Sequence, residues 1–209
     1  MTVDSTLKAS PDFLTVLAQA ATAYREKKVE RPSAEAMVSA LLQAEKTAKQ
    51  QRVNFSFDSL IGSWRLCFAT GTKKVRKRGG IVLGKGFYVP KLTPAQISFS
   101  AIAQATQETS SKGEIANQIQ FGPVLLKFDG PAQYLGKKNL LAFDFTRIQL
   151  CLFGRTIYQG NVRGGKVQAE NFYSQPIAKT PFFAFFVVTE DFIAARGRGG
   201  GLALWIREN

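Results

Sequence analysis

Few residues in this chain have the types and spacing for chemistry. Residues 196–201 read RGRGGG, with Gly197, Gly199, Gly200 and Gly201 beside two arginines. A glycine loop that cradles phosphate needs a strand before it and a helix N-terminus after it, because helix amides and the helix dipole hold the anion. Here the loop runs into LALWIREN, whose alternating apolar pattern around Trp205 and Ile206 predicts a strand instead. The third glycine of the dinucleotide fingerprint is replaced by Leu202, and no Gly-Lys-Ser/Thr follows for a Walker loop. The glycines are therefore predicted to turn the chain between two antiparallel strands, at positive φ values that glycine adopts easily.

Other reactive constellations are equally sparse. The chain has no histidine, which removes Ser-His and Cys-His nucleophile schemes and the commonest metal ligand. Asp129, Asp144 and Glu170 are scattered, whereas acid–base catalysis needs convergent groups. Cys67 and Cys151 sit inside apolar runs and read as buried free thiols rather than a disulfide or zinc ligands. The expectation is a protein that is not an enzyme, with no cofactor and no metal.

The 209 residues carry 28 Lys plus Arg against 15 Asp plus Glu, a net charge of +13, so polyanions are attracted. The densest run is KKVRKR, with Lys73, Lys74, Arg76, Lys77 and Arg78. It lacks interleaved aromatics for base stacking, so nucleic acid is not the expected partner. An anionic membrane surface is, with Phe87 and Tyr88 just beyond to dip into the interface; each basic residue near such a surface contributes about 1 kcal/mol. The longest apolar run, PFFAFFVV at 181–188, is strand-sized, far short of a membrane-spanning helix. No secretory signal is visible, and a removed transit segment stays open.

These side chains must be positioned by two kinds of element. Residues 10–28 read as a helix, with Ser10 as cap and Phe13, Leu17, Ala20, Ala21 and Tyr24 in one stripe. A second helix starts near Ser33 and carries Met37, Val38, Leu41, Leu42, Ala44, Glu45 and Ala48. From residue 60 the texture changes to short β-rich runs at roughly ten-residue spacing, among them 60–70, 95–105, 113–123, 124–135, 139–154, 156–162, 165–174, 181–192 and 202–207. The stretch 71–96 is basic, glycine-rich and proline-bounded, and reads as an irregular loop or flap. In 139–154, Leu141, Phe143, Phe145 and Arg147 are expected on one face. In 181–188 both faces are apolar, so that strand is expected to be covered on both sides. The predicted organisation is a helical hairpin over 1–55 packed on an antiparallel β-barrel of eight or nine strands over 56–209, a mainly β, α+β fold.

The stretch LIGSWRLCFAT (60–70) resembles the opening Gly-x-Trp-x-Leu-x-Phe strand of the plastid lipid-associated proteins, the fibrillins of plastids and cyanobacteria. EDFIAARGRGGGLALWI (190–206) resembles that family's closing signature, with Asp191, Phe192, Arg196, Gly197 and Gly200 in place. Ile193 stands where the family usually has arginine, and Thr189 where a second acid is usual. The resemblance implies a lipocalin-like barrel that binds a hydrophobic small molecule (a lipid, carotenoid or prenylquinone). It implies a peripheral place on thylakoid or other plastid or cyanobacterial membranes, partly soluble in cytoplasm or stroma, with plastoglobule association. A role in photoprotection or membrane lipid maintenance goes with it. The alternative is a filled barrel that acts as a scaffold, recruiting prenylquinone-synthesis enzymes or another protein partner to the membrane.

Eight-stranded barrels either fill with side chains or hold one small ligand. The candidate cavity residues are Trp64, Phe68, Phe99, Phe121, Phe128, Phe143, Phe145, Arg147, Phe172, Phe185 and Arg196. Trp64 is expected to close the barrel's end. Arg196 is expected to stack on Trp64, to pair with Asp191, or to grip an acidic ligand group.

Overall fold

The computed structural model describes residues 12–26, 28–75, 80–107, 110–162 and 170–208. Two helices lead the chain: α1 (Asp12–Arg25) and α2 (Ala34–Gln51). Ser33 caps α2, its Oγ accepting from the Ala36 amide at 3.1 Å, which satisfies one of the helix's orphan donors. Arg52 closes the other end in the left-handed conformation, φ 51°, its amide bonding the Ala48 carbonyl. The expected cap at Ser10 lies outside the described residues.

The strands are β1 (Gly62–Val75), β2 (Gly80–Tyr88), β3 (Ala95–Gln107), β4 (Ser110–Phe121), β5 (Val124–Leu135), β6 (Leu140–Phe143), β7 (Arg147–Leu152), β8 (Arg155–Asn161), β9 (Phe182–Val188), β10 (Phe192–Gly197) and β11 (Leu202–Arg207). Every pairing is antiparallel. Eight of them close a ring in the order β4-β3-β1-β11-β10-β9-β6-β5, with β5 returning to β4. The fold is an eight-stranded barrel with three further strands and an N-terminal helical hairpin, as the β-rich texture predicts.

Closure removes sheet edges and sorts side chains by parity into an inside and an outside. The inside set includes Trp64, Ile97, Phe99, Ile115, Tyr134, Leu141, Phe185, Ile193 and Trp205. The outside set on β1, β9, β10 and β11 packs under the helices, where Cys67, Phe68, Phe186, Val187, Ala194 and Leu204 meet Phe13, Leu17, Met37 and Leu41. Bulges switch residues between the sets. The register steps from Leu66 to Phe68 opposite β11, which turns both Cys67 and Phe68 to the helices. A step on β9 leaves Phe186 and Val187 side by side on that same outer face. This double cover is what the two apolar faces of 181–188 predict.

Three expectations are corrected. Residues 71–96 are not an irregular loop throughout: β1 runs on to Val75 and β2 pairs with it as a hairpin arm. The pairing needs Gly86, where an added Cβ would lie 2.0 Å from the Phe68 ring. The run 139–154 is two strands rather than one, because Asp144, Phe145 and Thr146 stand opposite two residues of β5, Gly130 and Pro131, a bulge across which the Asp144 and Thr146 amides still bond Pro131 O and Asp129 O. Within 165–174 the described part is helical, ending in a 3-10 turn at Phe172–Ser174. The eight strands of the ring agree with the expected eight or nine, and the other three form two hairpin arms outside it.

The RGRGGG segment turns β10 into β11. Gly197 donates to Gly201 O at 2.9 Å and Gly200, at φ 88°, donates to Gly197 O at 2.8 Å. These amides are used within the turn, so it offers no cradle for phosphate.

Candidate functional site

The lower end of the barrel is sealed by β1, the β11 terminus and the turn before β1. Trp64 is 0% exposed and its Nε1 donates to Leu60 O at 2.7 Å. The Arg207 guanidinium lies 4.0 Å from the Trp64 ring centroid. Its nitrogens donate to the carbonyls of Glu190, Ile61 and Ser59 at 2.6, 3.2 and 3.4 Å. Phe57 stacks on Tyr134 at 5.6 Å. The Tyr134 hydroxyl donates to Phe55 O, and burial pushes its pKa up to about 12. Asn139, at φ 49°, accepts from the Phe55 amide and donates to Val53 O. That clamp fixes the linker from α2 against the barrel floor.

The upper end is built differently. β5 pairs with β6 only over Ala132–Leu135, and with β7 over Val124–Asp129. β7 continues to β8, which pairs with no further strand among the described residues. Likewise β1 pairs with β3 over Gly62–Arg65 and with β2 above Phe68. The wall therefore splits on both sides as it rises. The inward parity of β4 and β5, set by Ile115, Ala132 and Tyr134, carries upward onto the splayed arm. Beyond the polar Asn117, its apolar side chains in register are Ile119 and Phe121 on β4, then Val124, Leu126 and Phe128 on β5. It continues through Ile148, Leu150 and Leu152 on β7 to Tyr158 on β8. All nine are half-buried or exposed. The opposite face of the same strands is mostly polar, with Glu114, Gln118, Lys127, Asp129, Arg147 and Gln149. The result is an apolar trough continuous with the barrel interior.

Aromatic rings join the trough to the floor. Phe128 meets Phe145 at 5.8 Å, Phe145 meets Phe143 at 5.3 Å and Phe143 stacks on Phe183 at 5.0 Å. Phe183 meets Trp205 at 5.3 Å and Phe185 at 6.3 Å, and Phe185 meets Phe99 at 6.0 Å. Leu66, Phe145, Phe183 and Ala203 pack on this interior while staying partly open to solvent.

The sequence candidates fall into three groups. Trp64, Phe99, Phe128, Phe143, Phe145 and Phe185 belong to the interior or its ring series. Phe121 has the inward parity but stands at the rim, 70% exposed, because the hairpin tip projects beyond the wall. The remainder lie elsewhere. Phe68 faces the helices through the β1 bulge. Phe172 is buried in the 3-10 turn, outside the interior cluster. Arg147 is on the polar face, paired with Asp129, because the extra residue over Asp144–Thr146 uncouples it from Phe143.

Arg196 is corrected most sharply. It neither stacks on Trp64 nor reaches Asp191. Its guanidinium meets Glu45 of α2 in a two-pronged pair, Nε to Oε1 at 2.8 Å, and also donates to Gly200 O. Hydrogen bonds from Arg196 hold the Glu45 carboxyl below its ordinary range. Asp191 instead takes Arg25 at 2.8 Å. Arg207 takes the Trp64 ring, a role set by the cross-strand register that places it opposite Trp64 and that no local pattern signals.

Of the membrane-contact candidates, Arg76, Lys77 and Arg78 lie outside the described residues, and Lys73 and Lys74 are on the described backbone of β1. Phe87 is 56% exposed. Tyr88 turns inward: its hydroxyl donates to Pro32 O at 2.8 Å and its ring meets Phe68 at 5.1 Å. Cys67 and Cys151 are free and buried, and burial pushes the Cys67 thiol up to about 12. Such a thiol is inert near neutral pH. Outside the barrel, an apolar groove of about 520 Å³ separates α2 from β2, between Val38, Leu42 and Leu83.

No family model matches the chain, and no curated protein matches it. Among solved structures it is similar to Japanin from Rhipicephalus appendiculatus bound to cholesterol, at 10% identity and a TM-score of 0.30, covering 73% of this chain and 79% of that one. So distant a likeness adds nothing to the site, which rests on the strand register above.

Proposed function

We propose that this protein binds a hydrophobic small molecule in the mouth of the barrel and is a binding protein rather than a catalyst. The observation that supports this reading is the trough. Nine apolar side chains of one parity leave the sealed interior and stay accessible on a splayed sheet. Contiguous apolar surface of that kind marks a binding site on a soluble protein. It favours a binder over a scaffold whose barrel is filled to its rim. The resemblance to the plastid lipid-associated family suggests the ligand class: a lipid, carotenoid or prenylquinone. An apolar fluorescent probe titrated into the protein should bind saturably, and Leu126→Gln with Leu150→Gln should weaken it about tenfold, since each change withdraws an apolar contact surface. Absence of saturable binding, or equal binding by the double variant, sinks the reading.

The protein is further proposed to work peripherally at a photosynthetic membrane, in photoprotection or lipid maintenance, with its mouth toward the lipid. Three of its most exposed large apolar side chains support this orientation: Leu92 at 90%, Phe153 at 79% and Phe121 at 70%. Phe121 and Phe153 sit on adjacent hairpin tips, tied by the Phe153 amide on Pro123 O. Leu92 is in the turn whose Pro94 O accepts from the Gln120 amide. The net charge of +13 supplies attraction to anionic headgroups.

A further inference from the structure

A second pocket lies outside the barrel and takes no part in the trough. It has a volume of about 390 Å³ and is walled by Tyr24 and Arg25 of α1, Arg65 of β1, Lys91, and Arg207 and Glu208 at the end of β11. Four cations thus face one carboxylate. Asp191, on Arg25 at 2.8 Å, offsets one more, and Glu208 takes Arg65 at 2.8 Å. Arg207 is committed to three carbonyls and the Trp64 ring. Positive charge is left over, and Lys91 carries it: its Nζ sits 5.3 Å from the Tyr24 ring centroid and makes no ion pair among the described residues.

The donors tell the same story. Among the described residues, two buried side-chain polar atoms lack a hydrogen-bond partner, the Tyr24 hydroxyl and Arg65 Nε, and both residues belong to this wall. Arg65 Nε is close to Glu208 but poorly aligned for a hydrogen bond. Tyr24 is only 4% exposed. Burial raises its pKa, so at neutral pH the hydroxyl keeps its proton and acts as a donor. A buried donor without an acceptor is destabilising, which is why native structures supply one. With Glu208 taken by Arg65, what this wall lacks is an acceptor for the Tyr24 hydroxyl and a counter-charge for Lys91.

We propose that the pocket binds an oxyanion, a phosphate or carboxylate group, that accepts from the Tyr24 hydroxyl and is neutralised by Lys91. A free anion and an anionic lipid headgroup share this chemistry. The site is separate from the trough, so each can fail without the other.

The test uses the full chain, titrated calorimetrically with inorganic phosphate at constant ionic strength. In parallel, the protein is floated with phosphatidylcholine vesicles with and without phosphatidic acid. Tyr24→Phe keeps charge and shape and removes one unpartnered hydroxyl, so the protein stays folded. It and Lys91→Gln should each weaken the anion about tenfold, the effect of one hydrogen bond to a charged group. Binding of an apolar probe in the trough should not change. Saturable phosphate binding lost in both variants identifies a free anion. Loss confined to phosphatidic-acid vesicles identifies a headgroup. If Tyr24→Phe and Lys91→Gln match the parent protein with both ligands, the proposal is overturned.

Discussion

The lower and upper halves of the barrel are made from the same strands and reach opposite outcomes. Around Trp64, Ile115 and Tyr134 every strand has a neighbour on both sides, and these side chains are 0 to 2% exposed. Two or three pleats higher, β4 and β5 present side chains just as apolar, yet Ile119 is 43% exposed and Phe121 70%. Chemistry of the residues does not separate the halves. Neighbour exchange does: β5 trades β6 for β7, and β1 trades β3 for β2. The lesson is that a sealed floor supplies stability while an unsealed wall supplies accessible apolar surface, and one parity rule serves both.

The sharpest way to break the comparison is Trp64→Ala. Removing a fully buried ring beneath Arg207 should lower unfolding free energy by about 3–5 kcal/mol in urea titrations. A loss under about 1 kcal/mol would mean that the floor is not the stabilising half. Next is Glu45→Gln, which leaves Arg196 half-partnered between α2 and the β10–β11 turn. A loss of about 2 kcal/mol is expected, the range for a hydrogen bond to a charged group. Its pH dependence has a definite sign. The folded carboxyl titrates below its ordinary value, so the pair's contribution is complete above about pH 4.3 and fades as pH falls through the folded pKa. Stability curves of parent and variant should converge in acid, and parallel curves there would show that the pair contributes nothing by its charge.

In the upper half the expected costs are smaller. Leu126→Gln with Leu150→Gln should change stability by less than about 1 kcal/mol, as for half-exposed sites, while weakening an apolar probe about tenfold. A large loss of stability there would make the trough part of the core. Smallest is Phe121→Ser with Phe153→Ser: unfolding within about 0.5 kcal/mol of the parent, read against flotation on phosphatidylglycerol vesicles, which should fall. Neutralising residues 73–78 in the same assay separates charge from insertion. If vesicle binding survives loss of both phenylalanines and falls only with the basic run, the membrane is met by the β1–β2 arm and not by the mouth.

Much of the fold was legible because parity and helical periodicity are local. Phe13, Leu17 and Tyr24 mark one helix stripe by spacing alone, and PFFAFFVV announces a strand covered on two sides. RGRGGG could be read as a turn because the residues after it alternate. The site was less legible, for three physical reasons. A bulge at Cys67 reverses which side Phe68 faces, and nothing in LCFAT signals it. The extra residue over Asp144–Thr146 moves Arg147 off the face of Phe143, although the run looks regular. The arginine over Trp64 is Arg207 rather than Arg196, because cross-strand register between residues more than a hundred positions apart decides the pair.

The amino-acid sequence by itself determined that two amphipathic helices precede an antiparallel, phenylalanine-rich β domain, because side-chain alternation is fixed by backbone geometry. It determined a cationic exterior and left no histidine for catalysis. Tertiary structure alone decided where the wall closes and where it splays. Ring closure depends on which distant edges find hydrogen-bond partners, and no local pattern encodes that choice.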